Sequence, residues 1–115
     1  MQQVAQNTNV LNVLTEQVND ALSGDNTVIA APGAGLRLLL WHLDFVVAAA
    51  VNVTLKSGAG TSLSGAYPFQ AAGGSFSQDY PAHAPLAMGT NLAFIINLSG
   101  AVSLQGLMIY TIERV

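Results

Sequence analysis

The sequence has no cysteine, few charges and few aromatics. Without cysteine there is no disulfide and no thiolate metal site. Only 8% of its 115 residues are charged, against about 25% in an ordinary soluble domain. That is too little charge to cover a monomer's surface, and the chain is too apolar to be disordered. Much of the surface is therefore expected to meet protein rather than water. Three cationic residues and a net charge of −3 exclude a phosphate-neutralising patch, so neither nucleic acid nor an anionic membrane is an expected partner. The longest apolar run, Phe45 to Val51, is far shorter than the roughly 18 residues of a transmembrane helix. No signal-peptide pattern opens the sequence. The sequons Asn52-Val53-Thr54 and Asn97-Leu98-Ser99 read as strand residues.

What is present divides into two parts, 1–25 and 26–115. The first is rich in Asn and Gln and holds Glu16, Asp20 and Asp25, half of the six acidic residues. Val4, Leu11 and Val18 are spaced by seven, with Asn7, Leu14 and Ala21 as a second row. This is an a/d pattern, with Thr8 or Asn9 able to cap it and Gly24 able to end it. Under three heptads of Asn, Thr and Val make a weak helix that needs a partner surface. The segment therefore reads as a helical or extended arm for self-association or docking, as a helix packed on its own domain, or as a frayed terminus.

From Asn26 onward the period is two, the signature of strands. Thr27–Ala30 is a short strand, and Ala31-Pro32-Gly33-Ala34-Gly35 a turn. Leu36–Val47 is a long strand. Its face Arg37, Leu39, Trp41, Leu43, Phe45, Val47 is the expected core face. The opposite face, Leu36, Leu38, Leu40, His42, Asp44, Val46, starts apolar and turns polar, so its first half is expected to be covered by the arm or another subunit. Val51, Val53 and Leu55 alternate with Asn52, Thr54 and Lys56. Gly58-Ala59-Gly60 follows as a hairpin turn, because no lysine follows the glycines as a phosphate loop requires. Thr61–Ser64, Tyr67–Gln70 and Ser75–Tyr80 are further short segments, and Pro81–Gly89 is a loop. Phe94, Ile96 and Leu98 form one strand's inner face. Leu104–Val115 is the last strand, with Met108, Tyr110 and Ile112 opposite Leu107, Ile109 and Thr111. Short strands at roughly 8–12-residue intervals indicate an all-β fold, an antiparallel β-sandwich that is jelly-roll-like.

The chemistry-bearing residues are sparse. His42 and Asp44 share a strand face, and Ser57, Ser62 and Ser64 are available, but no G-x-S-x-G elbow accompanies them. His42, Asp44, Asp79 and His83 match no standard ligand spacing. The chain is not expected to be an enzyme, and no cofactor or metal is implied. Arg37 is expected to pair with Asp44, Glu113 or a partner subunit. Trp41 is expected in the core.

From about Thr27 to Tyr110 the sequence resembles a family of small virion proteins of tailed bacteriophages. The matching stretches are "LRLLLWHLDFVVAAA", "VNVTLKSG", "LSGAYPFQAAGGS" and "NLAFIINLSGAVSLQGLMIY". The loop "YPAHAPLAMGT" lacks the aromatic segment expected there, and residues 1–25 stand as an added arm. The resemblance implies a sandwich that assembles as a homotrimer on the capsid surface. Its implied partner is the major capsid protein, and it would be made in the bacterial host cytoplasm. The expected function is capsid decoration, or cement. The alternative is a carbohydrate- or receptor-binding module of a tail or head fibre, with exposed aromatics such as Tyr80 near the 80–89 loop. The interface candidates are Val4, Leu11, Leu14 and Val18 of the arm and Leu36, Leu38 and Leu40 of the long strand.

Overall fold

Alternating side chains make each strand two-faced, and two such surfaces bury their apolar sides against each other. The computed structural model describes residues 13–115, and every regular element among them is a strand. In chain order these are β1 (Leu14–Asp20), β2 (Gly24–Ile29), β3 (Leu36–Val47), β4 (Val51–Ser57), β5 (Thr61–Ser62), β6 (Tyr67–Phe69), β7 (Ser75–Asp79), β8 (Leu86–Ala87), β9 (Phe94–Leu98) and β10 (Leu104–Arg114). The first sheet has the order β2-β9-β4-β5, with β6 also on β4. The second has the order β1-β10-β3-β7, with β8 also on β3. All ladders are antiparallel. The two sheets form a sandwich. Val53, Leu55, Phe94 and Ile96 of the first meet Leu38, Leu40, Leu43 and Met108 of the second in one core.

Of the helical and extended alternatives for the arm, the extended one is observed where the structure describes the chain. Leu14–Asp20 is strand β1, paired along its whole length with β10 from Tyr110↔Leu14 to Asp20↔Leu104. Within it the operative period is two: Leu14, Glu16, Val18 and Asp20 turn inward, while Thr15, Gln17 and Asn19 are exposed. Thr15 and Val18 suit a pleated surface, and a seven-residue helix without a partner is marginal. A full ladder with the last strand wins. Gly24, read as a helix stop, instead has φ 90 at the start of β2. The domain boundary drawn between 25 and 26 falls inside β2. Val4 and Leu11 lie outside the described residues.

The long strand also departs from the expected alternation, for a local reason. Ile109 pairs with His42 but Tyr110 pairs with Leu40, so Trp41 is the extra residue of a β-bulge. A bulge shifts the alternation by one. Before it Leu38 and Leu40 face the core, and after it Leu43, Phe45 and Val47 do. The apolar start of the second face thus needs no second cover. Leu38 and Leu40 are fully buried within this chain.

Two backbone positions fix the neighbouring turns. Gly58 has φ 66, and its N–H donates to Ala93 O at 2.8 Å, closing the β4–β5 hairpin against the approach to β9. Asn91 has φ 53, a left-handed conformation that Asn tolerates best among residues with a side chain. Its Oδ1 accepts from Gly33 N–H at 2.9 Å, tying the 31–35 turn to this loop.

Candidate functional site

The outer face of the second sheet follows from register. Asn19, Gln105, Val46 and Ser75 stand side by side across β1, β10, β3 and β7, as do Gln17, Leu107, Asp44 and Ser77. Between these two rows runs the row Val18, Gly106, Phe45, Phe76. A groove of about 600 Å³ follows this middle row and is lined by Asn19, Gln105, Val46 and Ser75 on one side and by Gln17, Asp44 and Ser77 on the other. Its floor is narrow at Gly106: a Cβ there would fall onto the carbonyl oxygen of Asp44 and within 2.6 Å of Phe45 Cα. Val46 and Leu107 are 45% and 42% exposed on this face, an uncovered apolar pair among amides and hydroxyls.

Beside the groove lies the one titratable cluster that the sequence hinted at. His42 Nε2 is 2.7 Å from Asp44 Oδ2, and His42 Nδ1 is 2.5 Å from Asp79 Oδ1, on the strand opposite. The two carboxylates, Asp44 first, raise the imidazole's pKa above its ordinary value against a smaller desolvation effect. When both nitrogens carry protons, each donates to a carboxylate, and the clamped imidazolium has no lone pair for a metal or a substrate proton. Asp44 Oδ1 also accepts from Leu107 N–H at 3.2 Å, which pins the carboxylate across β3 and β10. Ser57, Ser62 and Ser64 belong to or follow strands of the other sheet; Ser57 Oγ instead accepts from Gly89 N–H, and Ser64 Oγ from Leu55 N–H. His83 lies exposed in the loop after β7. Among the described residues no group of three or more His, Asp or Glu is arranged to hold a metal.

The remaining candidates sort by burial. Val18, Leu38 and Leu40 are wholly buried core residues and offer nothing to a partner. Leu14 and Leu36 are half-buried, at the starts of β1 and β3. Trp41, expected in the core, lies on the outer side at the bulge, where its indole N–H donates to Thr111 Oγ1 at 2.9 Å. Leu39 and Thr111, paired across β3 and β10, are both buried. Arg37 pairs with Glu113 through Nε at 2.6 Å, with both side chains 38% exposed. A half-exposed ion pair of this kind is worth about 0–1 kcal/mol. Tyr80 is half-buried and packs against the core, as does Tyr67, so neither forms the exposed platform expected near the 80–89 loop.

Sequence reasoning missed two features. Asp25, Lys56 and Asn97 meet on the outer face of the first sheet: Lys56 Nζ is 3.0 Å from Asp25 Oδ1, and Asn97 Nδ2 donates to the same oxygen at 2.7 Å. The Asn97 amide and then Lys56 hold the Asp25 pKa below its ordinary value. These residues come from three strands distant in sequence, so no local signal marks them. Asp20 is the second: it is 8% exposed, and its Oδ2 is buried without a hydrogen-bond partner among the described residues. Burial pushes its pKa up.

No family model, curated protein or solved structure matches the chain.

Proposed function

We propose that the chain is a structural virion protein of a tailed bacteriophage, a capsid decoration (cement) protein that binds and stabilises the head as a homotrimer. The observation that supports this most is the uncovered apolar surface on a chain with only 8% charged residues. Val13, Leu22 and Val115 are 68%, 70% and 56% exposed, besides Val46 and Leu107. Two of its three cationic side chains are already engaged within the chain, Lys56 with Asp25 and Arg37 with Glu113. Such a surface favours burial against protein over long-range electrostatic capture. The strand order supports the finer, jelly-roll reading of the sandwich: β1 to β4 alternate between the sheets, and the last strand lies between β1 and β3.

The test is the mass of the purified chain by light scattering at several concentrations, followed by binding to DNA-free heads of the phage that encodes it. A concentration-independent trimer that binds heads in fixed ratio and raises their melting temperature is the expected result. A monomer that ignores the heads overturns the proposal. The arm is tested by removing residues 1–12 only, because removal through residue 22 would delete β1 and with it a full ladder of the second sheet.

A further inference from the structure

We propose that the groove across the outer face of the second sheet is a binding site for a neutral oligosaccharide. Its lining points to this ligand class whether or not the chain sits on a capsid.

The polar side chains of the two rows are amides and hydroxyls. Gln17, Asn19 and Gln105 supply the amides, Ser75 and Ser77 the hydroxyls, and all five are exposed. Each amide offers a carbonyl acceptor and an NH2 donor side by side, which matches two adjacent hydroxyls of a sugar ring. Residues two apart on one strand stand about 7 Å apart, and neighbouring strands about 4.8 Å. Four strands therefore present a grid about 14 Å wide on which successive rings of a short chain can lie. The volume of about 600 Å³ falls in the ordinary range of small-molecule sites.

Charge narrows the ligand class. Among the described residues no lysine or arginine lines the groove, so a phosphate, sulfate or uronic acid would meet no counter-charge from them. The single carboxylate, Asp44, is held by His42 and by Leu107 N–H and faces the groove as an acceptor only. It suits a hydroxyl donor and repels an anion. Val46 in the lining, with the exposed Leu107 beside it on the same face, offers too little for an apolar ligand but suffices for the C–H face of a sugar. Because the amides and hydroxyls are hydrated before binding, the sugar exchanges water hydrogen bonds for its own, and the affinity is modest.

The experiment is an NMR titration of the isotope-labelled full-length chain with maltohexaose, cellohexaose, laminarihexaose and hexa-N-acetylchitohexaose, and with an oligogalacturonate as the anionic control. At least one neutral chain should shift the side-chain amides of Gln17, Asn19 and Gln105 saturably, with a millimolar Kd. The oligogalacturonate should not. Gln105→Ala should weaken binding about fivefold, the loss of one net hydrogen bond, with the melting temperature unchanged. The proposal is overturned if no neutral chain produces saturable shifts, or if the shifts map outside the groove. It is also overturned if Gln105→Arg lowers the mass in solution, because the groove would then be covered by a second copy of the chain.

Discussion

Gly106→Ala is a single methyl group placed where two backbones nearly touch. Gly106 sits in β10 between its partners Val18 and Phe45. The new Cβ would overlap the Asp44 carbonyl oxygen and lie 2.6 Å from Phe45 Cα and 2.7 Å from Asp44 C. Carbon atoms rest about 3.5–4.0 Å apart, so β3 and β10 must separate by about 1 Å. Ladder hydrogen bonds of about 2.9 Å would then stretch beyond useful length. Overpacking costs about 1–3 kcal/mol, and two lost ladder bonds add about 1 kcal/mol each. The sum is about 3–5 kcal/mol, a large part of a domain's typical stability of 5–15 kcal/mol. With about 2.1 cal/mol/K of unfolding entropy per residue, a chain of 115 residues should lose about 12–20 °C in Tm. Thermal and urea unfolding followed by circular dichroism measure this. Gly100→Ala is the control, since a Cβ there meets nothing within 4 Å, and it should change Tm by no more than about 3 °C. If Gly106→Ala melts within the same 3 °C, the close approach of β3 and β10 is wrong, and so is the groove floor built on it.

Asp20→Asn should stabilise the protein at pH 7 by about 1–2 kcal/mol, because Oδ2 of the buried carboxylate has no partner among the described residues and the cost of its desolvation is relieved. Its raised pKa means the folded state holds the proton more tightly, so wild-type stability falls as pH rises from about 3.9 through the folded value. Urea unfolding at pH 3 and pH 7 should therefore show the difference between variant and wild type shrinking at pH 3; equal stability at pH 7 would mean the carboxylate has a partner. The His42 pKa is raised as well, so the clamp's contribution is complete below about pH 6.5 and fades as pH climbs through the folded value. Wild type and His42→Gln should differ most at pH 5.5 and converge toward pH 10, and Asp79→Asn should lower the imidazole pKa seen by NMR. Phe76 stacks on Phe45 with ring centroids 5.0 Å apart, and Phe76→Ala should cost about 2–4 kcal/mol in chemical denaturation; a loss below about 1 kcal/mol would mean the ring is not packed.

The strands with one buried face were legible because burial on one side leaves a period of two in the residues themselves. Val51, Val53 and Leu55 face the core, as do Phe94, Ile96 and Leu98, and in β10 Met108, Tyr110 and Ile112 face it as their alternation with Leu107, Ile109 and Thr111 indicated. The all-β class followed from these segments and the turns between them. The face of β3 was half misread, because a bulge at Trp41 depends on the spacing of β10 opposite it and leaves no mark in β3 alone. That single insertion moved Leu38 and Leu40 from candidate interface to core, and Trp41 from core to surface.

The sequence by itself determined what the chain cannot easily do. Its three cationic residues leave few groups to pair with phosphates, its lack of cysteine denies it disulfides, and its alternating apolar residues commit it to sheets. Composition and local period set these properties, and they hold in any arrangement. Tertiary structure alone decided which residues meet. It drew Leu14–Asp20 out of a heptad-like pattern into the edge of a sheet, since pairing with a strand some ninety positions later outweighs a weak local preference for helix. It brought Asp79 to His42 and Asn97 to Asp25 across 37 and 72 positions. It also laid Gln17, Asn19, Ser75, Ser77 and Gln105 along one groove. Such sites depend on strand order and register, which are set by the packing of two whole sheets and by no short stretch of either.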